Sequence, residues 1–488
     1  MKKKILSMML ALTLAAGTTA LSACGNKAAN SGDSANGENN ADGANASAVN
    51  FEVPEGGYDG SEVEITFYHT MGENLSTVLE SYIAEFNKLY PNIKVVNEKI
   101  GGYDDVREQI STEITVGNQP NLAYCYSDHV ALYNLAKAVV HLDNLIDSKT
   151  EVKREDGTTE ILGLTDEQKA DFIEGYYNEG RQFGDGLMYT LPMSKSTDVL
   201  YYNKTFFDEH GLTVPKSWDE MKELCAKIKE IDPESCPLGY DSESNWFITM
   251  CEQYKSPYTS ATGDHYLFNN DQNKAFVKEF NDWYQKGYLT TQKIYGGYTS
   301  GLFTSTEGTR SYMSIGSSAG ATHQRPAADD AGNYLFEVGV ARMPQVSEDN
   351  QKVISQGPSL CIFNNPNKQE VVASWLFAKF LATNVDFQAE FAMASGYVPI
   401  IKSVAQNPKY AEFLANADGG KYIAALSAKI CMEQVDAYYT SPAFNGSSAA
   451  REQVGSLMVK ALTAKGDDLD AQLDKAFEDA VAECEYAS

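Results

Sequence analysis

Positive charge is what this chain has least of for its size: 39 lysines and arginines face 67 aspartates and glutamates over 488 residues, a net charge of −28 at pH 7. So acidic a surface repels nucleic-acid phosphates and anionic lipid headgroups, and no nucleic-acid partner is expected. A small anionic ligand is not excluded, because a pocket answers to its near neighbours more than to the total charge. Histidine is also scarce. The six present lack ligand spacing, so neither a metal site nor a cofactor is expected. Cys125, Cys225, Cys236, Cys251, Cys361, Cys431 and Cys484 show no CxxC spacing, and their odd number argues against a disulfide framework. Several sit in apolar runs such as "LAYCY" and "PSLCIF" and read as small buried hydrophobes. One disulfide, of Cys236 with Cys225 or Cys251, stays open. Beyond the first residues no segment approaches the apolar length of a membrane-spanning helix.

The N-terminus reads as an export signal. Lys2, Lys3 and Lys4 precede an apolar stretch from Ile5 to Leu14 that is too short to span a bilayer. Leu21, Ser22, Ala23 and Cys24 resemble the lipobox of bacterial lipoproteins, in which the cysteine is lipidated and becomes the mature N-terminus. This implies a signal peptide over 1–23, a lipid anchor on Cys24 and a protein held at the extracellular face of the cell membrane. Residues 24–60, rich in Asn, Gly, Ala and Ser, read as a disordered tether.

Past the tether, "EVEITFY" reads as a strand, and "ENLSTVLESYIAEFNKLYP" as a helix presenting Leu75, Val78, Leu79, Ile83, Phe86 and Leu89 on one face. "NIKVVNE" is a second strand, Asp104 to Val116 a second helix and "NLAYCYS" a third strand. A β-α-β-α-β order predicts an α/β chain with a mostly parallel sheet and ligand contacts beyond the carboxyl ends of its strands. A second mixed unit opens at "DVLYYNKTFFDEHGL", where Ser217 caps a helix carrying Trp218, Met221, Leu224 and Ile228. The charged stretch "DSKTEVKREDGTTE" reads as a surface insertion.

In order and spacing, "FYHTMGEN", "EFNKLYPNIKV", "VGNQPNLAY", "LPMSKSTDVLYYNKTFF", "TVPKSWDEM", "QGPSL", "WLFAKFLATNVDFQAEF" and "SGYVPI" resemble the extracellular solute-binding proteins (family 1) of ABC importers, the group of sugar and glycerol-phosphate binders. The resemblance implies a two-lobed fold with a hinge and an interlobe ligand cleft. It places an N-terminal lobe at 61–196 and 358–398 and a C-terminal lobe at 197–357 and 399–488, with crossings near Thr197 to Tyr202, Met343 to Leu360 and after Tyr397. It also implies a monomer that captures a carbohydrate and delivers it to ABC permease subunits. Ligand-contact positions then fall on Glu73, Tyr103, Asp128, Ser196, Trp246, Ser317, Ser318, Gly357 and Tyr397.

The chemistry of that set suits a sugar, since hydroxyls bond carboxylates and a C–H face packs on an aromatic ring. Each residue also has a structural reading: Trp246 as core, Asp128 as a helix cap, Gly357 as a turn and Tyr397 as packing. The tryptophans of the maltose-type proteins are replaced by Ser317, Ser318, Tyr124 and Cys125, which argues against a long oligosaccharide platform. The phosphate-binding arginine of the glycerol-phosphate binders has only Arg451 as a nearby candidate. Two other classes compete with a transport receptor: a surface glycosidase pairing Glu73 with Asp128, and a sensory lipoprotein. No catalytic residue is expected in the favoured reading.

Overall fold

The computed structural model describes residues 49–419, 422–466 and 468–487. The expected signal peptide, Cys24 and the tether up to residue 48 lie outside the described residues. From Val49 to Gly60 the tether expectation is corrected. Val49–Asn50 pairs in parallel with Val140–His141, and Phe51 and Tyr58 are buried in the core. Two aromatic side chains amid small polar residues are enough apolar surface to anchor the segment.

Two sheets organise the rest. The first runs Ile93–Lys99, Val63–His69, Leu122–Cys125, Ser359–Ile362, Leu191–Pro192. Its first three strands are parallel, and Ser359–Ile362 is antiparallel to both neighbours. The intervening helix Glu73–Leu89 buries Leu79, Tyr82, Ile83 and Phe86, a 3.6-residue stripe, and ends at Tyr90 before Pro91. The second sheet runs Leu289–Thr291, Leu238–Tyr240, Met313–Ser317, Ser196–Asn203, Val353–Gln356, Tyr438–Tyr439, with Val338–Ala341 also on Ser196–Asn203. Leu238–Tyr240 is parallel to both its neighbours, whereas Ser196–Asn203 is antiparallel to every strand it touches. Helix Trp218–Ile231 is capped as its sequence predicts: Ser217 Oγ accepts from Glu220 N at 3.1 Å, and Ser217 N donates to Glu220 Oε2.

The chain passes from the first sheet to the second between Pro192 and Ser196, and returns between Gln356 and Ser359. The first crossing thus lies just ahead of the expected Thr197 to Tyr202. Lys195 ties the two passages together. Its side chain is 0% exposed, its Nζ donates to Gly357 O at 2.8 Å and Ser359 Oγ at 3.0 Å, and it pairs with Glu179 Oε2 at 2.5 Å. Gly357 has φ +125°, and a Cβ there would stand 2.4 Å from Ser194 O, so the crossing needs glycine.

The stretch expected as a surface insertion is corrected in part. It forms the hairpin Glu151–Lys153 and Thr159–Ile161, and Glu160 accepts from Lys379 Nζ at 2.8 Å and Tyr90 Oη at 2.5 Å, which binds the hairpin to the core. Of the seven cysteines of the described residues, six are buried, Cys236 being the partly exposed one. Among the described residues no helix is long and apolar enough to cross a membrane.

Candidate functional site

Carboxyl ends of parallel strands leave loops that face outward together, and here they enclose a cavity of about 500 Å³. Leu238–Tyr240 leads to Asp241 and Ser242, Leu289–Thr291 to Gln292, and Met313–Ser317 closes on Gly316 and Ser317, all of which line it. Tyr126, just past Leu122–Cys125 of the first sheet, and Tyr397 supply the opposite wall. Tyr298, 68% exposed, stands at the rim.

Two carboxylates dominate the floor. Asp198 lies in the middle of the buried run Ser196 to Tyr201 and is 2% exposed. It accepts from Tyr240 Oη at 3.1 Å and Asn245 Nδ2 at 3.2 Å. Burial pushes its pKa up to about 6, against the opposing pull of these bonds and of the Arg451 charge. Asp241 accepts from Thr299 N at 2.5 Å and Thr299 Oγ1 at 2.8 Å, which pins the turn behind Tyr298. Burial raises its pKa too. Among the described residues, no three histidines, cysteines or carboxylates are grouped to hold a metal ion.

A second cavity of about 70 Å³ adjoins the first and shares Tyr126 and Gln356 with it. It is lined by Ser127, Asp128, Glu179, Ser355 and Arg451, among others. Arg451 donates to Asn245 Oδ1 and to the side-chain carbonyl of Gln356, whose amide nitrogen in turn donates to Asn245 Oδ1 at 3.1 Å, so this network forms the partition between the cavities.

The expected contact residues divide three ways. Ser196, Ser317 and Tyr397 line the larger cavity, and Asp128 the smaller. Tyr103 stands behind the wall: its Oη lies 3.2 Å from Tyr397 Oη, and its ring 4.4 Å from that of Tyr126. Gly357 follows the wall residue Gln356 and turns into the crossing instead. The others are not brought to a cavity. Trp246 is 0% exposed, its ring 4.3 Å from Phe280 and 5.0 Å from Tyr240, within the second sheet's core. Ser318 is buried, its Oγ accepting from Thr197 N at 3.4 Å. Glu73 is exposed at the start of its helix and lines neither cavity.

Sequence reasoning missed Asp198, Asp241, Asn245, Tyr126, Tyr298 and Gln356. One signal could have found Asp198. A carboxylate inside the run "STDVLYY" costs too much desolvation to be incidental, and marks a polar site.

Residues 81–417 match the family described as bacterial extracellular solute-binding protein. The sn-glycerol-3-phosphate-binding periplasmic protein UgpB of Escherichia coli (strain K12) is 25% identical over 363 residues, 70% of this chain and 74% of that protein. Among solved structures, the cyclic alpha-maltosyl-1,6-maltose binding protein of Arthrobacter globiformis superposes with a TM-score of 0.66 at 18% identity, over 87% of this chain and 100% of that one. UgpB of Mycobacterium tuberculosis in complex with glycerophosphocholine gives 0.66 at 16%, over 87% and 99%. The sugar-binding protein MalE of Xanthomonas citri gives 0.66 at 17%, over 87% and 98%. The fold is theirs: α/β and two-lobed.

Proposed function

Because the chain belongs to the bacterial extracellular solute-binding protein family, we propose that it captures a carbohydrate, a mono- or short oligosaccharide, in the cavity of about 500 Å³ and delivers it to the permease of an ABC importer. The lining carries this reading. The carboxylates of Asp198 and Asp241 accept hydroxyl protons while Tyr126, Tyr298 and Tyr397 offer faces for C–H packing, all in one concavity of disaccharide size. Residues 61–196 with 358–398, and 197–357 with 399–488, act as lobes that close on the ligand about the passages held by Lys195. Cys24 carries the lipid anchor, and the mature protein works as a monomer on the outer face of the cell membrane.

The protein acts as a receptor and not as a hydrolase. Asp128 lines a cavity and Glu73 does not, so the carboxylate pair a glycosidase needs is not assembled from them. Arg451 favours one second reading, a glycerol phosphate or glycerophosphodiester ligand, since a guanidinium is the strongest single partner for phosphate. The UgpB relatives agree with it.

A thermal-shift screen of saccharides against glycerol 3-phosphate and glycerophosphodiesters tests the choice. The true ligand at many times its dissociation constant raises the melting temperature by mass action. A rise with saccharides, together with a smaller radius of gyration in solution scattering, supports the proposal. A rise with phosphates alone replaces it by the second reading. Mass spectrometry of membrane-extracted protein tests the anchor, and a mature chain that lacks acylation on Cys24 removes it.

A further inference from the structure

We propose that the carbohydrate taken by the larger cavity carries an ammonium group, as a 2-amino-2-deoxy sugar does; the inference rests on the carbohydrate reading of that cavity. Its lining is unbalanced in charge. Asp198 and Asp241 face it, and among the described residues no lysine or arginine lines it, the basic side chain there being the imidazole of His323. The protein donors to these carboxylates, Tyr240 and Asn245 for one and Thr299 for the other, are neutral and leave the charges in place. Arg451 bears on Asp198 from the partition, while Glu243 adds further negative charge beside Asp241.

A separate observation points the same way. Gln324 is 1% exposed, lines this cavity, and its side-chain carbonyl Oε1 has no hydrogen-bond partner among the described residues. The cavity thus combines two carboxylates whose hydrogen-bond donors are neutral with a lining glutamine whose carbonyl oxygen is unpartnered among the described residues. An ammonium supplies three donors and the missing charge in one group. A wholly neutral sugar would have to desolvate both carboxylates on closure with only neutral donors in return, which is costly. The tyrosine faces at Tyr126, Tyr298 and Tyr397 are compatible with a cation as well as with sugar C–H groups. N-acetylation removes both the charge and two of the donors, so it is the discriminating change.

Titration calorimetry on the full chain near neutral pH, with the β-1,4-linked glucosamine dimer, its N-acetylated form, cellobiose and choline, reads the preference directly. The free-amine dimer should bind roughly tenfold or more tighter than the acetylated dimer and cellobiose, a difference readily resolved. Asp241→Asn, whose Oδ1 can still accept from Thr299, should weaken the free-amine dimer at least roughly tenfold more than it weakens cellobiose and so abolish that preference, with a melting temperature no lower than the parent's as the fold control. Asp198→Asn is the second variant if the first does not fold. Equal or tighter binding of cellobiose or the acetylated dimer overturns the ammonium inference and leaves the carbohydrate reading standing. Choline bound as tightly as the amino sugar overturns the assignment to a sugar amine. If no saccharide binds while glycerol 3-phosphate or glycerophosphocholine does, both inferences fall; if none of the probes binds, the ammonium inference falls.

Discussion

Two cavities share Tyr126 and Gln356 yet treat charge in opposite ways. At the smaller one, Glu179 meets Lys195 at 2.5 Å in a side-chain pair with almost no exposure, and Arg451 is engaged by Asn245. Across the partition, Asp198 and Asp241 hold neutral donors only. The difference follows from where each group sits in the chain. Lys195 and Glu179 brace the passage between sheets, where a charge must be compensated within the protein for the fold to exist. Asp198 and Asp241 stand at the ligand side of the second sheet, where compensation can be left to what binds. Charge completed internally is a stability feature; charge left incomplete is a recognition feature.

The largest effect expected tests the first half of that contrast. Lys195→Met leaves the Glu179 carboxylate buried without its cation and should destabilise the protein by about 3–5 kcal/mol in urea unfolding. Adding Glu179→Leu should recover much of the loss, because removing both charges is far cheaper than stranding one. A single variant within about 1 kcal/mol of the parent would mean that the pair is solvated and the contrast unfounded. Next in size is Gly357→Ala. Its φ of +125° and the 2.4 Å approach to Ser194 O should together cost about 2–3 kcal/mol. An unchanged midpoint would show that the return passage relaxes freely.

Asp198→Asn tests the second half. The carboxyl is raised from 3.8 to about 6 by burial, with Tyr240, Asn245 and Arg451 opposing and Asp241 adding to the rise. Between those values the folded protein binds more protons than the unfolded chain, so this group's contribution to stability falls as pH rises through the window. At pH 7 and above the full cost of the buried charge is present. The amide should therefore stabilise the unliganded protein by about 1–3 kcal/mol at pH 7 and lose that advantage as pH approaches 4, while weakening ligand binding. A stabilised receptor with poorer affinity is the expected trade between fold and site. Equal midpoints at pH 7 and pH 4 would show that the carboxylate is adequately solvated and that the cavity is not charge-poor in donors.

The expectations from sequence failed by single residues more than by whole elements. The amphipathic stripe of Glu73–Leu89, the cap at Ser217 and the three parallel strands that open the first sheet were legible because periodicity and end signals are local, whereas the antiparallel Ser359–Ile362 and Leu191–Pro192 that complete that sheet come from distant parts of the chain. Trp246 was expected at the ligand, yet its neighbour Asn245 lines the cavity. Successive residues on a helix point about 100° apart, and nothing local in Glu243–Gln253 says which direction meets the other lobe. Ser317 and Ser318, and Gln356 and Gly357, straddle strand ends, where again one neighbour lines the cavity and the next does not. Asp198 was read past because the apolar run around it identified the strand, while the reason for a charge within it lay in Tyr240, Asn245 and Arg451, distant in sequence.

The smallest effect expected concerns Glu73, the acid that the family resemblance places at the ligand. In the structure it is exposed in the first turn of helix Glu73–Leu89, and no side-chain bond caps that helix at Gly72. Its contribution there is the favourable meeting of a negative charge with the helix N-terminus, a few tenths of a kcal/mol at an exposed position. Glu73→Gln should therefore shift stability by no more than about 0.5 kcal/mol and leave ligand affinity within about twofold, while Asp241→Asn on the same ligand changes it far more. If Glu73→Gln instead weakens binding tenfold with its fold intact, the helix N-terminus must join the cleft once the lobes close. The ligand would then bridge to an acid outside both cavities, and the division between completed and incomplete charge would have to be redrawn to include it.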